Sequence, residues 1–385
     1  MDLTAEQRAL RDAVRALLAR EQPRAPVSPD PGPRPASPGP APYSPDPPSG
    51  YDRVLWQRLG EIGVPALGVP ERYGGAGAGP VETHVVAEEL GRRLTATPLL
   101  GSAVLAAQAL LGSGDRAACE RLLPAVADGT AIATLAWTGA TGRWDPGEVA
   151  CHAAVAAPGW VVHGEAHHVL DGDVADVLLV AARTPDGIGL FEVDPGQGGV
   201  SRAAVPTMDS TRRLAVVRLD GAAGQRVGDP ADGAARAALA RARDLACIAL
   251  SAEQAGAASQ ALDLTVGYTK IRVQFGRAIG GFQALAHRMA DLHVLVDSSR
   301  SLSYAAAQAA ADQAPDTGLH AAAAKVCCSE ALQRVAAEMI QLHGAIGITW
   351  EHDAHRYLKR AHGAAQLFGR PSEHVARIAA ALIGR

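Results

Sequence analysis

The sequence predicts an α+β fold in the order helical, β, helical, and three patterns carry that prediction. Apolar residues recur at three-to-four spacing through most of residues 3–128. Between about residues 130 and 220 they gather into short runs divided by turn residues, and from 233 onward long Ala-rich stretches return to the helical period. The implied organisation is a helical N-terminal domain over residues 1–128, a small antiparallel β domain over 129–225 and a C-terminal helical bundle over 226–385.

The first helix is expected over residues 3–18, where Thr4 followed by Gln7 makes a capping box. About residues 22–50 hold nearly half of the chain's 25 prolines and no periodicity, so they read as a semi-extended surface linker. Helical spacing resumes over 51–62 and 79–94, on either side of a turn-rich stretch at 70–77, and continues over 99–111 and 116–128. The β runs fall at 132–137, 153–155, 160–163, 177–182, 189–193 and 214–219, punctuated by turns such as Pro158-Gly159, Pro185-Asp186-Gly187 and Pro195-Gly196. The last third reads as helices over 233–268, 283–312, 318–343, 352–367 and 372–383.

A chain of 385 residues with a net charge of −4 has no electrostatic footprint for nucleic acid or an anionic membrane. Residues 1–20 are charged throughout and lack the apolar core of a signal peptide, and no run of about 18 uncharged apolar residues occurs. A cytoplasmic location without membrane insertion is the expectation. The five cysteines, Cys119, Cys151, Cys247, Cys327 and Cys328, have neither metal-type nor redox-type spacing and read as reduced, mostly buried thiols, with no metal site.

Three segments carry chemical information. Tyr268-Thr-Lys-Ile-Arg272-Val-Gln274-Phe275-Gly-Arg277 is followed by Gly280-Gly-Phe282-Gln283 and later by Gln341-Leu-His-Gly344-Ala-Ile-Gly347. Together with the loop Val64-Pro-Ala-Leu-Gly-Val-Pro70-Glu-Arg-Tyr-Gly-Gly-Ala-Gly77, they resemble the flavin-gripping signature of the acyl-CoA dehydrogenase family, over all of the chain except the Pro-rich insert. The resemblance implies a helical N-terminal domain, a small β domain and a C-terminal four-helix bundle. It also implies FAD as cofactor, and an activity that desaturates an acyl thioester by proton abstraction and hydride transfer to the flavin N5.

The resemblance assigns Arg272 to the FAD pyrophosphate, since a planar guanidinium matches phosphate oxygens. Gln274 belongs to the same segment, Phe275 and Phe282 flank the flavin rings, and Gln283 bonds the ribityl or phosphate region. Gln341, Gly344 and Gly347 bring backbone amides to phosphate or adenine. In the β domain Thr138 is assigned to the flavin N5 or O4 edge. His168 stands where many members stack a Trp; it either raises the local positive potential or is a solvated histidine near a turn. Part of this FAD contact goes to the neighbouring subunit, which implies a homodimer or homotetramer, or a heteromer.

One element of the pattern is missing. The family's catalytic glutamate falls at one of two places, and in this sequence those places hold Phe368 and Ala246. Neither accepts a proton. Glu253, seven residues after Ala246 and so two helical turns along the same face, is the first candidate base, against a reading as a buried structural carboxylate. Glu351 and Glu373 read mainly as helix-start acids. Three functions remain open: a dehydrogenase of an acyl-CoA or an acyl carrier protein thioester, passing electrons to an acceptor flavoprotein; an FAD-contacting partner in a heteromeric dehydrogenase; and a flavin monooxygenase on the same fold. Arg212 and Arg213 either meet a phosphate of the pantetheine arm or form a solvent-facing basic pair.

Overall fold

The protein was analysed as a computed structural model, which describes residues 3–22, 51–156, 159–229 and 233–384. The expected Pro-rich linker falls almost wholly outside these residues. Helix α1 (Ala5–Glu21) starts at the expected capping box: Gln7 N donates to Thr4 Oγ at 3.1 Å and Thr4 N to Gln7 Oε1 at 3.0 Å. Helices α2 (Arg53–Glu61), α3 (Pro80–Arg93), α4 (Ala107–Gly112) and α5 (Arg116–Ala127) complete the first helical region. A π-helical segment, Leu99–Ala106, leads into α4 with every residue buried.

Seven strands follow: β1 (Ala133–Ala136), β2 (Cys151–Ala156), β3 (Gly159–Leu170), β4 (Val177–Thr184), β5 (Gly187–Val193), β6 (Val200–Val205) and β7 (Leu214–Val227). Strands β4, β2, β3, β7 and β5 pair in a ring that closes back on β4, which removes most free edges. The pairing is mainly antiparallel, but β1 and β2 both run parallel to β4. Strands β3 and β7 are much longer than the apolar runs that signalled them, because each pairs along its length with the other through two register shifts. Sequence reading missed β6: it pairs only with β7 and is mostly exposed, so no apolar run marks it.

The C-terminal region consists of α6 (Ala234–Ile271), the hairpin β8 (Val273–Gln274) and β9 (Arg277–Ala278), α7 (Gln283–Ala311), α8 (Thr317–His343), α9 (Ala354–Gln366) and α10 (Pro371–Ile383). Its helices match the expected ranges to within a few residues. Helix α6 is the spine of the molecule: its first half packs into the core shared with the N-terminal helices and the sheet, and its second half into a separate core with α7, α8 and α9. Where α3 crosses α6, a Cβ on Gly91 would lie 2.1 Å from Glu253 O and one on Gly256 2.0 Å from Glu88 O. Only glycine permits this approach, and it fixes Glu253 at the centre of the molecule.

Candidate functional site

The two positions where the resemblance looks for a glutamate come together. Cys247, next to fully buried Ala246, has Sγ 3.8 Å from Phe368 O. Phe368 is itself fully buried with φ +60°, and its ring meets Trp144 edge to face at 5.0 Å. Trp144 in turn meets Trp137 at 5.6 Å. The turn carrying Phe368 is clamped from behind: His374 Nε2 lies 3.0 Å from Phe368 O, and Lys325 Nζ donates to Ala365 O at 3.0 Å and to Ser329 Oγ at 3.1 Å. Burial lowers Lys325 to about 8, and the C-terminal carbonyl of α9 receives its charge.

Glu253 lies at the heart of a buried ion network that sequence reading only half assembled. Its Oε2 accepts from Arg212 Nη2 at 2.5 Å and from Arg360 Nη1 at 3.2 Å. Arg360 also pairs with Asp209 at 2.8 Å and donates to Thr211 O at 3.0 Å, while Thr211 Oγ bonds Asp209. Arg213 is held by Asp173. The expectation that Arg212 and Arg213 face solvent or a phosphate therefore changes: both guanidinium groups turn inward onto protein carboxylates. Arg360 escaped notice because nothing local marks an arginine on an Ala-rich helix as buried. Glu351 is exposed in the turn before α9, and Glu373 caps α10, accepting from Arg370 N at 3.2 Å.

On the β side, Thr138 and His167 exchange two bonds at 2.7 Å: His167 N donates to Thr138 O, and Thr138 Oγ to His167 O. The second register shift in β3 makes this possible by turning His168 to φ +55°. Burial and then neighbouring His167 lower the His168 pKa, which disfavours the charged imidazole. Its Nδ1 has no hydrogen-bond partner among the described residues.

The assigned flavin-binding segments gather at the far end of α6. Arg272 caps that helix, and its backbone is tied to Tyr268 and Ile279. Phe275 and Gly276 form the β8–β9 turn, both at positive φ, as a two-residue hairpin demands. Phe275 is 92% exposed and lies perpendicular to Phe282 at 6.2 Å, with Arg277 4.0 Å from the Phe282 ring centre. Gln274 is exposed beside them, and Gln283 opens α7. Gln341 lies on the last turn of α8; Gly344 ends it at φ +65° with open space where a Cβ would point, and a Cβ on Gly347 would crowd Ile340 O at 3.2 Å. Between them His343 stacks on Tyr268 at 4.4 Å. An exposed phenylalanine, a half-buried one with an arginine on its face and an open glycine backbone fit an aromatic, pyrophosphate-bearing ligand. Ile271, Val273, Ile348 and Trp350 add exposed apolar surface around this end.

Comparison with known proteins gives consistent matches. The acyl-CoA dehydrogenase C-terminal domain profile matches residues 234–383, and the N-terminal domain profile matches residues 45–130. Acyl-CoA dehydrogenase IpdE2 of Mycolicibacterium smegmatis is 42% identical over 332 residues, covering 86% of this chain and 88% of that protein. Among solved structures, a variant of the Tcur3481-Tcur3483 steroid ACAD is similar with a TM-score of 0.82 and 29% identity over 98% of each chain. The ChsE4-ChsE5 complex from Mycobacterium tuberculosis is similar with a TM-score of 0.83 and 28% identity over 100% of each chain.

Proposed function

The chain belongs to the acyl-CoA dehydrogenase family, and from that premise we propose that it is the FAD-contacting subunit of a heteromeric dehydrogenase whose proton-accepting carboxylate comes from a paralogous chain. The observation that carries this reading is the closed slot: Phe368 and Ala246 are both fully buried at the two places where a glutamate would stand. Glu253 does not replace them, because its Oε2 is already engaged by Arg212 and Arg360 inside a buried ion network. The likeness to a solved two-chain assembly, ChsE4-ChsE5, supports the heteromer.

The reaction removes a proton from the α carbon and a hydride from the β carbon of an acyl thioester, leaving a double bond between them. FAD, the cofactor of the family, supplies the two-electron acceptor when bound. Arg272 and Gln283 hold its phosphate and ribityl region, with Gln274 alongside; Phe275 and Phe282 flank its rings; Gln341, Gly344 and Gly347 offer backbone and side-chain donors to the adenine end. Thr138 and His168 line the flavin edge, where His168 acts as a neutral group. Electrons leave to an acceptor flavoprotein. The substrate is a coenzyme A thioester, and the likeness to a protein described as a steroid ACAD supports a bulky, ring-bearing acyl group.

Co-expression tests this. The chain produced with a paralogue carrying the glutamate should purify as a mixed oligomer that binds FAD and oxidises a ring-bearing acyl-CoA. A homomer that turns over the same substrate contradicts the proposal, and loss of that turnover in Glu253→Gln would reassign the base to Glu253.

A further inference from the structure

Three buried aromatic rings form a column that joins the end of β1 to the Phe368 turn. Trp137, 1% exposed, follows β1 directly. Trp144, 4% exposed, meets Trp137 at 5.6 Å with the rings at 76°, and meets Phe368 at 5.0 Å with the rings at 78°. Among the described residues Trp137 and Phe368 make no ring contact with each other, so Trp144 is the link between them.

The backbone around Trp144 is tied to both ends of the column. Residues 139–150 leave β1 after Thr138 and return at Ala150, whose N donates to Trp137 O at 3.0 Å. Asp145 organises this segment: its Oδ1 accepts from Gly147 N at 2.7 Å, and its carbonyl accepts from Glu148 N at 2.9 Å and from Trp137 Nε1 at 3.3 Å. From α6, Arg243 Nη1 donates to Trp144 O at 3.3 Å. Arg243 lies about one helical turn before Ala246, and Cys247 beside Ala246 has its Sγ 3.8 Å from Phe368 O. Trp144 therefore stands where the segment bearing Thr138, the α6 position at Ala246 and the Phe368 turn converge.

A dehydrogenation needs that same space. The proton acceptor and the hydride-accepting N5 must both reach the substrate, so the reacting carbons lie between them. On the family pattern the proton acceptor stands at Phe368 or Ala246 and the flavin edge at Thr138. We propose that Trp144 occupies the acyl position of this chain's own site and excludes the thioester from it, so that the thioester reacts at the flavin face of the paralogous chain. This deepens the heteromer reading and rests on it. The missing glutamate by itself would still allow a thioester to bind here and receive a carboxylate from the partner; the aromatic column closes that route, because a close-packed interior has no room for an acyl chain beside a buried indole.

The test uses the full chain reconstituted with FAD, with binding of a ring-bearing acyl-CoA read by calorimetry and its oxidation by anaerobic flavin bleaching. The wild-type chain alone should show no thioester binding up to ~1 mM, and Trp144→Gly should bind with a dissociation constant at least tenfold below that limit. Phe368→Glu alone should neither bind nor bleach, because Trp144 still fills the site, whereas Trp144→Gly combined with Phe368→Glu should do both. Indole has the shape of the deleted side chain; it should bind Trp144→Gly and displace the thioester. Should Trp144→Gly fail to fold, Trp144→Leu keeps an apolar side chain of smaller volume and should show the same gain in thioester binding. Binding by the wild-type chain alone, bleaching by Phe368→Glu alone, folded Trp144 variants that bind no better than wild type, or indole that binds without displacing the thioester overturns the proposal. A gain of binding in Trp144→Gly from a chain that does not assemble with a glutamate-bearing paralogue would instead count against the heteromer reading and leave Trp144 in the acyl position.

Discussion

Phe368 and Trp144 meet edge to face, ring centroids 5.0 Å apart, with Phe368 wholly buried and its backbone in the left-handed region. An aromatic residue does not adopt that conformation without cause, and here Lys325 and His374 hold the turn from behind. The pair makes packed core of the turn at which the family resemblance looks for a glutamate.

That packing should be measurable. Replacing Phe368 with Ala deletes a fully buried aromatic side chain and should cost about 3–5 kcal/mol in urea denaturation. A loss below about 1 kcal/mol would show that the Phe368 turn is not part of the core.

Glu253→Gln removes the negative charge shared by Arg212 and Arg360 while keeping the shape. Breaking a buried ion pair should destabilise the fold by about 3–5 kcal/mol. Flavin reduction per bound FAD should persist in the folded fraction of the mixed oligomer. Selective loss of reduction with normal stability would restore Glu253 as the base.

Arg272→Ala should lower FAD occupancy, read as the ratio of flavin to protein absorbance after gel filtration, with far-UV circular dichroism unchanged. Removing one charge-assisted phosphate contact should weaken FAD roughly tenfold or more. Full retention of FAD would remove Arg272 from the pyrophosphate site.

Acid stability carries a signature of buried histidines. Burial lowers His84 to about 3 and both His343 and His374 to about 4 from an ordinary value of 6.5. The unfolded chain therefore binds more protons below pH 6.5, and stability should fall as pH drops from about 6.5 toward 4. Denaturation midpoints at pH 7, 6, 5 and 4 test this, and replacing His374 with Gln should flatten part of the slope. A midpoint independent of pH over that range contradicts these burials.

Much of the architecture was legible in the sequence because helical periodicity is strong where one face packs, as in α1, α3 and the five C-terminal helices. What escaped was set by pairing rather than by local pattern. The edge strand β6 has no apolar run, and the outer halves of β3 and β7 are held by cross-strand bonds that composition does not record. In the candidate site, the segments assigned to flavin by resemblance were readable as motifs, and Phe368 and Ala246 were readable as departures from a motif. The partners of Glu253 were not, since Arg212 and Arg360 reach it from positions 41 and 107 residues away.

The most direct measurement of the central claim is an anaerobic titration of the purified chain, alone and then assembled with a glutamate-bearing paralogue, with a ring-bearing acyl-CoA while the flavin bands are recorded. The account predicts bleaching in the assembly and none in the chain alone, even when the chain alone is reconstituted with FAD. Bleaching by the chain alone would contradict it, because a proton acceptor would then have to lie within this sequence.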